Sequence, residues 1–93
     1  MKARLLLRER RILAENAFAE IVIWQLPSEA HGSSHRYKYR LAYVVNGICV
    51  LRYDNEAGKG DQKHLGGRER AYKFTTPEKL LFDFWNDVDE WSQ

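Results

Sequence analysis

Cysteine occurs once in these 93 residues, at Cys49, and proline twice, at Pro27 and Pro77. A single cysteine excludes an internal disulfide, a CxxC redox pair and a thiolate-rich zinc site. Cys49 therefore reads as a small buried hydrophobe on a strand. Long apolar runs are absent too: Leu5-Leu6-Leu7 and Leu41 to Val45 fall far short of the ~18 residues that span a bilayer, and the N-terminal run is too short for a signal peptide. The expectation is a soluble, cytoplasmic protein without membrane contact. With 44% hydrophobic and 30% charged residues, the chain has an ordinary globular balance and length for one core, so residues 1–93 are read as a single domain.

The net charge of +2 conceals an uneven distribution. Residues 1–30 carry five basic and four acidic groups, residues 31–73 carry nine and four, and residues 74–93 carry one and five. A basic middle and an acidic end fit an anionic partner bound on one side, although a solvated mixed-charge surface would look the same.

The first third reads as a strand hairpin over 3–26, turning at Ala14-Glu15-Asn16-Ala17 and stopped by Pro27, with a helix over Ala3 to Leu13 as the alternative. Residues 27–35, with Gly32, Ser33 and Ser34, read as a mobile surface loop. A second hairpin spans 36–54 around Asn46-Gly47, a pair suited to the positive φ angles of a type I′ turn. Counting back from that turn pairs Val45 with Ile48, Tyr43 with Val50, Leu41 with Arg52 and Tyr39 with Asp54 on one face. Val44 with Cys49, Ala42 with Leu51, Arg40 with Tyr53 and Lys38 with Asn55 occupy the other. Residues 54–67 hold four of the six glycines and show neither strand nor helix periodicity, which predicts a long functional loop. Arg70 to Phe74 fits a short edge strand. A helix over 76–91 then begins at Thr76-Pro77-Glu78, where Thr caps free amides, Pro needs no donor and Glu favours the positive dipole end. Its stripe of Leu80, Leu81, Phe84, Trp85, Val88 and Trp91 should pack on the sheet. The fold expectation is therefore α+β: an antiparallel sheet of four to five strands in two hairpins, covered on one face by a C-terminal amphipathic helix.

The polar residues from Arg52 to Arg68 carry the chemistry. Gly58-Lys59-Gly60 is not a Walker loop, since the GxxxxGK[ST] spacing fails, and alone it is compatible with a plain flexible loop. Its neighbours supply more. RNA cleavage without a metal needs a base for the 2′-hydroxyl, an acid for the leaving oxygen and cations for the phosphorane. His64 is the acid or base candidate, Asp54 and Asp61 its carboxylate partners, and Arg52 and Lys59 the phosphate stabilisers. Lys38, Arg40, Asn55, Lys63 and Arg68 would contact nucleic acid, and Tyr39 and Tyr53 would stack bases, although tyrosines on strands also serve ordinary packing. No cofactor is expected; Mg²⁺ or Mn²⁺ at Asp54, Asp61 and His64 is the competing reading. His31 and His35 are four apart but flank Gly-Ser-Ser rather than lying on a helix, which argues against zinc.

The run Tyr39-Arg40-Leu41-Ala42-Tyr43-Val44, then Val50-Leu51-Arg52-Tyr53-Asp54-Asn55, Gly58-Lys59-Gly60-Asp61, His64 and Gly66-Gly67, resembles the TumE-type toxins of toxin–antitoxin pairs. The resemblance extends to Ile21-Val22-Ile23-Trp24 and to Phe82 to Val88. It implies a small toxin neutralised by an antitoxin with a DNA-binding, helix-turn-helix type domain. Relatives often carry a second histidine where this chain has Gln62, so a two-imidazole mechanism is not expected. Together these readings point to a toxin acting on RNA as a metal-independent endoribonuclease. A non-catalytic nucleic-acid or partner binding module, and a metal-dependent or nucleotide-transferring enzyme, are the alternatives.

Overall fold

A computed structural model describes residues 2–29, 35–56 and 59–92. Gly58 of the Gly-Lys-Gly segment, His31 and residues 30–34 of the connection after Pro27 lie outside the described residues. The described strands are β1 (Arg4–Ala14), β2 (Ala17–Gln25), β3 (Tyr37–Val45), β4 (Ile48–Glu56), β5 (Gly60–Leu65) and β6 (Arg68–Ala71). They form one antiparallel sheet in chain order, and helix α1 (Pro77–Ser92) covers one face. The α+β class with one C-terminal helix is as expected, but six strands are described rather than four or five.

The additional strand is β5, inside the segment read as a loop. Gly60-Asp61-Gln62-Lys63-His64-Leu65 is polar on both faces, so it lacks the apolar alternation that announces a strand. Its side chains find polar partners instead: Asp61 meets Tyr39, Lys63 meets Asp87, and His64 meets Arg52. The edge strand begins at Arg68, two residues before the expected start.

Asn46 (φ 52°) and Gly47 (φ 77°) make the second hairpin turn, and Val45 faces Ile48 and Val44 faces Cys49 as the turn dictates. A β-bulge then places Val50 as an extra residue, so Tyr43 pairs with Leu51, Ala42 with Arg52, Leu41 with Tyr53 and Arg40 with Asp54. The pairings counted straight from the turn are wrong beyond this point, and each later residue of β4 faces the opposite way. Energetics explain the shift. Without the bulge, Arg52 and Asp54 would lie beneath the helix beside Tyr43, Leu41 and Tyr39, at a cost of several kcal/mol per buried ion. With it, Leu51 and Tyr53 take those places, each 1% exposed and each worth about 2 kcal/mol in burial.

The core unites Ala19, Ile21 and Ile23 of β2, Tyr39, Leu41 and Tyr43 of β3, Leu51 and Tyr53 of β4, and Leu80, Phe84 and Val88 of α1. The three helical residues are spaced by four, one face of the predicted stripe; Leu81 and Trp85 pack at its margin, while Trp91 is largely exposed and meets Tyr43 edge-on at 5.6 Å. Thr76 Oγ1 accepts the Lys79 amide at 3.1 Å, the cap expected of Thr-Pro-Glu. Cys49, expected to be buried, is exposed next to the turn. No helix among the described residues is long and apolar enough to cross a membrane.

Candidate functional site

The strand registers turn the face opposite α1 into a grid. One row across the sheet runs Arg10, Glu20, Ala42, Arg52, His64, Glu69. The next runs Arg8, Val22, Arg40, Asp54, Gln62, Ala71, and a third pairs Leu5 with Trp24 and Trp24 with Lys38. Five cations, Arg8, Arg10, Lys38, Arg40 and Arg52, therefore share this face, whereas Asp83 and Asp87 of α1 bind Tyr72 and Tyr53 on the other. These cations share the face with Glu20, Asp54 and Glu69, while Lys63 joins Asp83 and Asp87 on the helix side.

Arg52, Asp54 and His64 converge at the centre. Arg52 Nε lies 3.1 Å from Asp54 Oδ2, and a terminal Arg52 nitrogen is 3.2 Å from His64 Nε2. His64 Nε2 is also 3.7 Å from Asp54 Oδ1, and its Nδ1 is 3.7 Å from Glu69 Oε2. Because guanidinium only donates, His64 Nε2 accepts from Arg52 when the imidazole is neutral, which puts the ring proton on Nδ1 facing Glu69. Protonation of Nε2 would turn that contact into repulsion and favour Asp54. Asp54 is 6% exposed, yet among the described residues its Oδ1 has no hydrogen-bond partner, and neither does Arg52 Nε despite its proximity to the carboxylate. Buried polar atoms are rarely left unmatched, so each of these two calls for a partner, water or ligand included, or for a chemical role. The cluster can thus take up a proton at His64, hold the resulting charge against Asp54, and turn the guanidinium towards an anion.

Asp61, expected beside Asp54 and His64, is on the helix-covered face. Its Oδ2 accepts from Tyr39 Oη at 2.6 Å and lies 2.7 Å from His35 Nε2, while His35 Nδ1 accepts the Tyr37 amide at 3.1 Å. That second bond requires an unprotonated Nδ1, so His35 donates from Nε2 and is locked in place, stacked on Phe74 at 4.0 Å. The Asp54, Asp61 and His64 set considered for Mg²⁺ or Mn²⁺ is consequently split between two faces.

The bulge also relocates Asn55 and Tyr53, while the pairing of β5 and β6 sets the positions of Lys63 and Arg68. Asn55 is 2% exposed; its Oδ1 accepts the Tyr39 amide at 2.9 Å and its Nδ2 donates to the Tyr37 carbonyl at 2.6 Å, so its amide completes the β3–β4 ladder and cannot contact nucleic acid. Tyr39 and Tyr53 are core residues rather than stacking platforms. Lys63 faces the helix, 2.6 Å from Asp87, and Arg68 lies on the exposed edge strand β6 beside Arg70. Lys59 sits in the β4–β5 turn, about 16 Å along the strand from His64 at ~3.3 Å per residue. Lys38 and Arg40 do share the face of Arg52, and Lys38 Nζ donates to the Asn55 carbonyl. Trp24 and Glu69 were missed by sequence reasoning. The alternation of Phe18, Glu20, Val22 and Trp24 in β2 contained the first, but the irregular stretch before β3 left its partner strand open.

Three tyrosines tie the helix-side layer together: Tyr39 donates to Asp61, Tyr53 to Asp87 and Tyr72 to Asp83. Burial, and then these carboxylate hydrogen bonds, push all three phenols well above their ordinary value. The unfolded chain releases these protons near pH 10, while the native state retains them. The associated stability is complete below about pH 10 and is lost as pH rises above it. Thermal melting should therefore fall steeply above about pH 10, with the tyrosinate absorbance of these three residues appearing only as the fold is lost. Their ionisation in the folded state would contradict the assignment.

A sheet meander backed by one helix, with an Arg-Asp-His cluster on the face opposite that helix, defines a small α+β protein. The chain matches the family model described as Toxin TumE over residues 2–92, and it belongs to that family. It is accordingly a toxin of the toxin–antitoxin kind, for which an antitoxin is the general partner. Neither a curated protein nor a solved structure gives a significant match.

Proposed function

We propose that this toxin cleaves RNA endonucleolytically, without a metal, on the uncovered face of the sheet. The observation that carries the reading is the convergence of His64, Asp54 and Arg52 with unmatched buried atoms on a face lined by Lys38 and Arg40. His64 Nε2 takes the proton of a 2′-hydroxyl, and Asp54 Oδ1 stabilises the imidazolium. The 2′-oxygen attacks phosphorus and the P–O5′ bond breaks. The imidazolium returns its proton to the departing 5′-oxygen, leaving a 2′,3′-cyclic phosphate and a 5′-hydroxyl. Arg52, freed from His64 as the ring charges, turns to the non-bridging oxygens. Arg40, directly opposite Asp54, supports it in the role first considered for Lys59. Asp61 holds Tyr39 and His35 and takes no chemical part.

An RNA substrate places the action in the cytoplasm, and the family resemblance points to neutralisation by an antitoxin with a DNA-binding, helix-turn-helix type domain. Purified protein incubated with total RNA in excess EDTA should cleave it. Cleavage that is absent in EDTA and restored by Mg²⁺ or Mn²⁺ would replace this mechanism with a metal-dependent one.

A further inference from the structure

We propose that the cleft bounded by Val22, Trp24, Lys38 and Arg40 is a nucleobase subsite, in which Trp24 stacks an unpaired base a few nucleotides from the cleaved bond. The inference rests on the RNA reading above and assigns its substrate class as single-stranded RNA.

The cleft measures about 460 Å³ and is lined by these four residues together with Tyr39, Arg52 and Asp54. That is within the range of small-ligand sites. One wall is apolar, formed by Val22 and Trp24 of β2; the other is cationic, formed by Lys38 and Arg40 of β3 and Arg52 of β4. An anion alone would require the cations and not the indole. A nucleotide requires both, a π-face for the base and donors for the phosphate. Among the described residues one of Lys38's three donors is held, by the Asn55 carbonyl. Trp24 lies two rows and three strands from His64 in the grid, roughly 19 Å on ordinary strand spacings. Arg40 stands between them, so the cations continue from the reacting phosphate to the indole. The chain's other tryptophans are on α1, with Trp85 against Phe84 beneath Arg11 and Trp91 against Tyr43, and they are not part of this face. In duplex RNA the bases stay stacked inside the helix and cannot reach the indole, whereas a single strand can splay one onto it. Ordinary cross-strand packing against Leu5 is the competing role for Trp24, and it predicts loss of stability without loss of RNA affinity.

The test uses the full chain carrying His64→Ala, so that RNA is bound but not cut, and a labelled single-stranded oligoribonucleotide. Adding Trp24→Ala should weaken binding about tenfold, equivalent to about 1.4 kcal/mol, while Trp24→Phe stays near the parent. A duplex of the same sequence should compete more weakly than the single strand. In a chain with Trp85→Phe and Trp91→Phe, the oligonucleotide should quench the remaining Trp24 fluorescence. Unchanged affinity in Trp24→Ala, or an absent quench, overturns the subsite. Binding that depends on Trp24 in a protein that cuts no RNA would uphold the subsite and sink the nuclease reading. Cleavage indifferent to Trp24 would do the reverse.

Discussion

His64→Ala should reduce the rate of RNA cleavage by about 10²–10⁴-fold, the usual worth of a positioned acid–base group. Of the three converging side chains, imidazole is the type that most often serves as a general acid or base. His64 is also the least structural of the three. Its side chain is 24% exposed on β5, beside the edge strand; its contacts to Asp54 and Glu69 are both 3.7 Å, too long for hydrogen bonds, which leaves, among the described residues, the single bond from Arg52. The variant should therefore melt within a few degrees of the parent. Arg52→Ala is a different lesion, since it leaves the buried Asp54 without its cation and should lower stability and cleavage together. Initial rates on an oligoribonucleotide, read beside melting temperatures, separate the two. A His64→Ala protein that cleaves at the parental rate would remove imidazole from the mechanism.

The largest effect on stability is expected one residue from the cluster. Asn55→Ala deletes two hydrogen bonds that close the end of the β3–β4 ladder and leaves the Tyr39 amide and Tyr37 carbonyl without partners in a buried place. Each bond contributes about 1 kcal/mol net, and an orphaned buried group costs about 1–3 kcal/mol, so a loss of about 2–4 kcal/mol follows. For a domain of this size that lowers the melting temperature by roughly 10–30 °C. RNA affinity per folded molecule should not change, because the amide faces the helix side. Urea or thermal unfolding checks the first statement and oligonucleotide binding below the melting transition checks the second. A variant that melts like the parent but binds RNA poorly would restore Asn55 to the surface role its sequence position first indicated.

Adjacent residues with such different duties show which parts of the protein are legible in sequence. Asn46-Gly47 reads correctly because a two-residue turn with both φ angles positive has few chemical solutions. Thr76-Pro77-Glu78 and the Leu80, Phe84, Val88 spacing read correctly for a similar reason: helix caps and the 3.6-residue period are local rules. Register beyond the turn is a tertiary decision. A count from Asn46-Gly47 cannot see that burying Leu51 and Tyr53 outweighs an unbroken ladder, and one bulge at Val50 reverses the orientation of Arg52, Asp54 and Asn55. That reversal divides the expected site. Arg52, Asp54 and His64 stay together with Lys38 and Arg40, while Asp61, Asn55, Tyr39, Tyr53 and Lys63 go to the layer beneath α1. Strand β5 was illegible because its polar side chains are satisfied by Tyr39, Asp87 and Arg52 on other elements, so no apolar period is needed to hold it in the sheet. Trp24 was overlooked for a related reason: its neighbours Lys38 and Arg40 are remote in sequence and adjacent only through the β2–β3 pairing.

The two-sided arrangement would also separate stability from the proposed chemistry. The tyrosine–aspartate bonds and the apolar core lie on the helix side, so charged groups on the uncovered face can remain incompletely matched without unravelling the sheet. Such a division is what a reactive site on a small scaffold requires, because strained or unsatisfied groups must be held by rigid neighbours.

The nature of the RNA ends after cleavage tests the central claim most directly. A synthetic oligoribonucleotide, cut in EDTA and analysed by mass spectrometry, should yield one fragment ending in a 2′,3′-cyclic phosphate and another beginning with a 5′-hydroxyl, and His64→Ala should yield neither. Fragments bearing 3′-hydroxyl and 5′-phosphate ends, formed only when Mg²⁺ or Mn²⁺ is supplied, would contradict it.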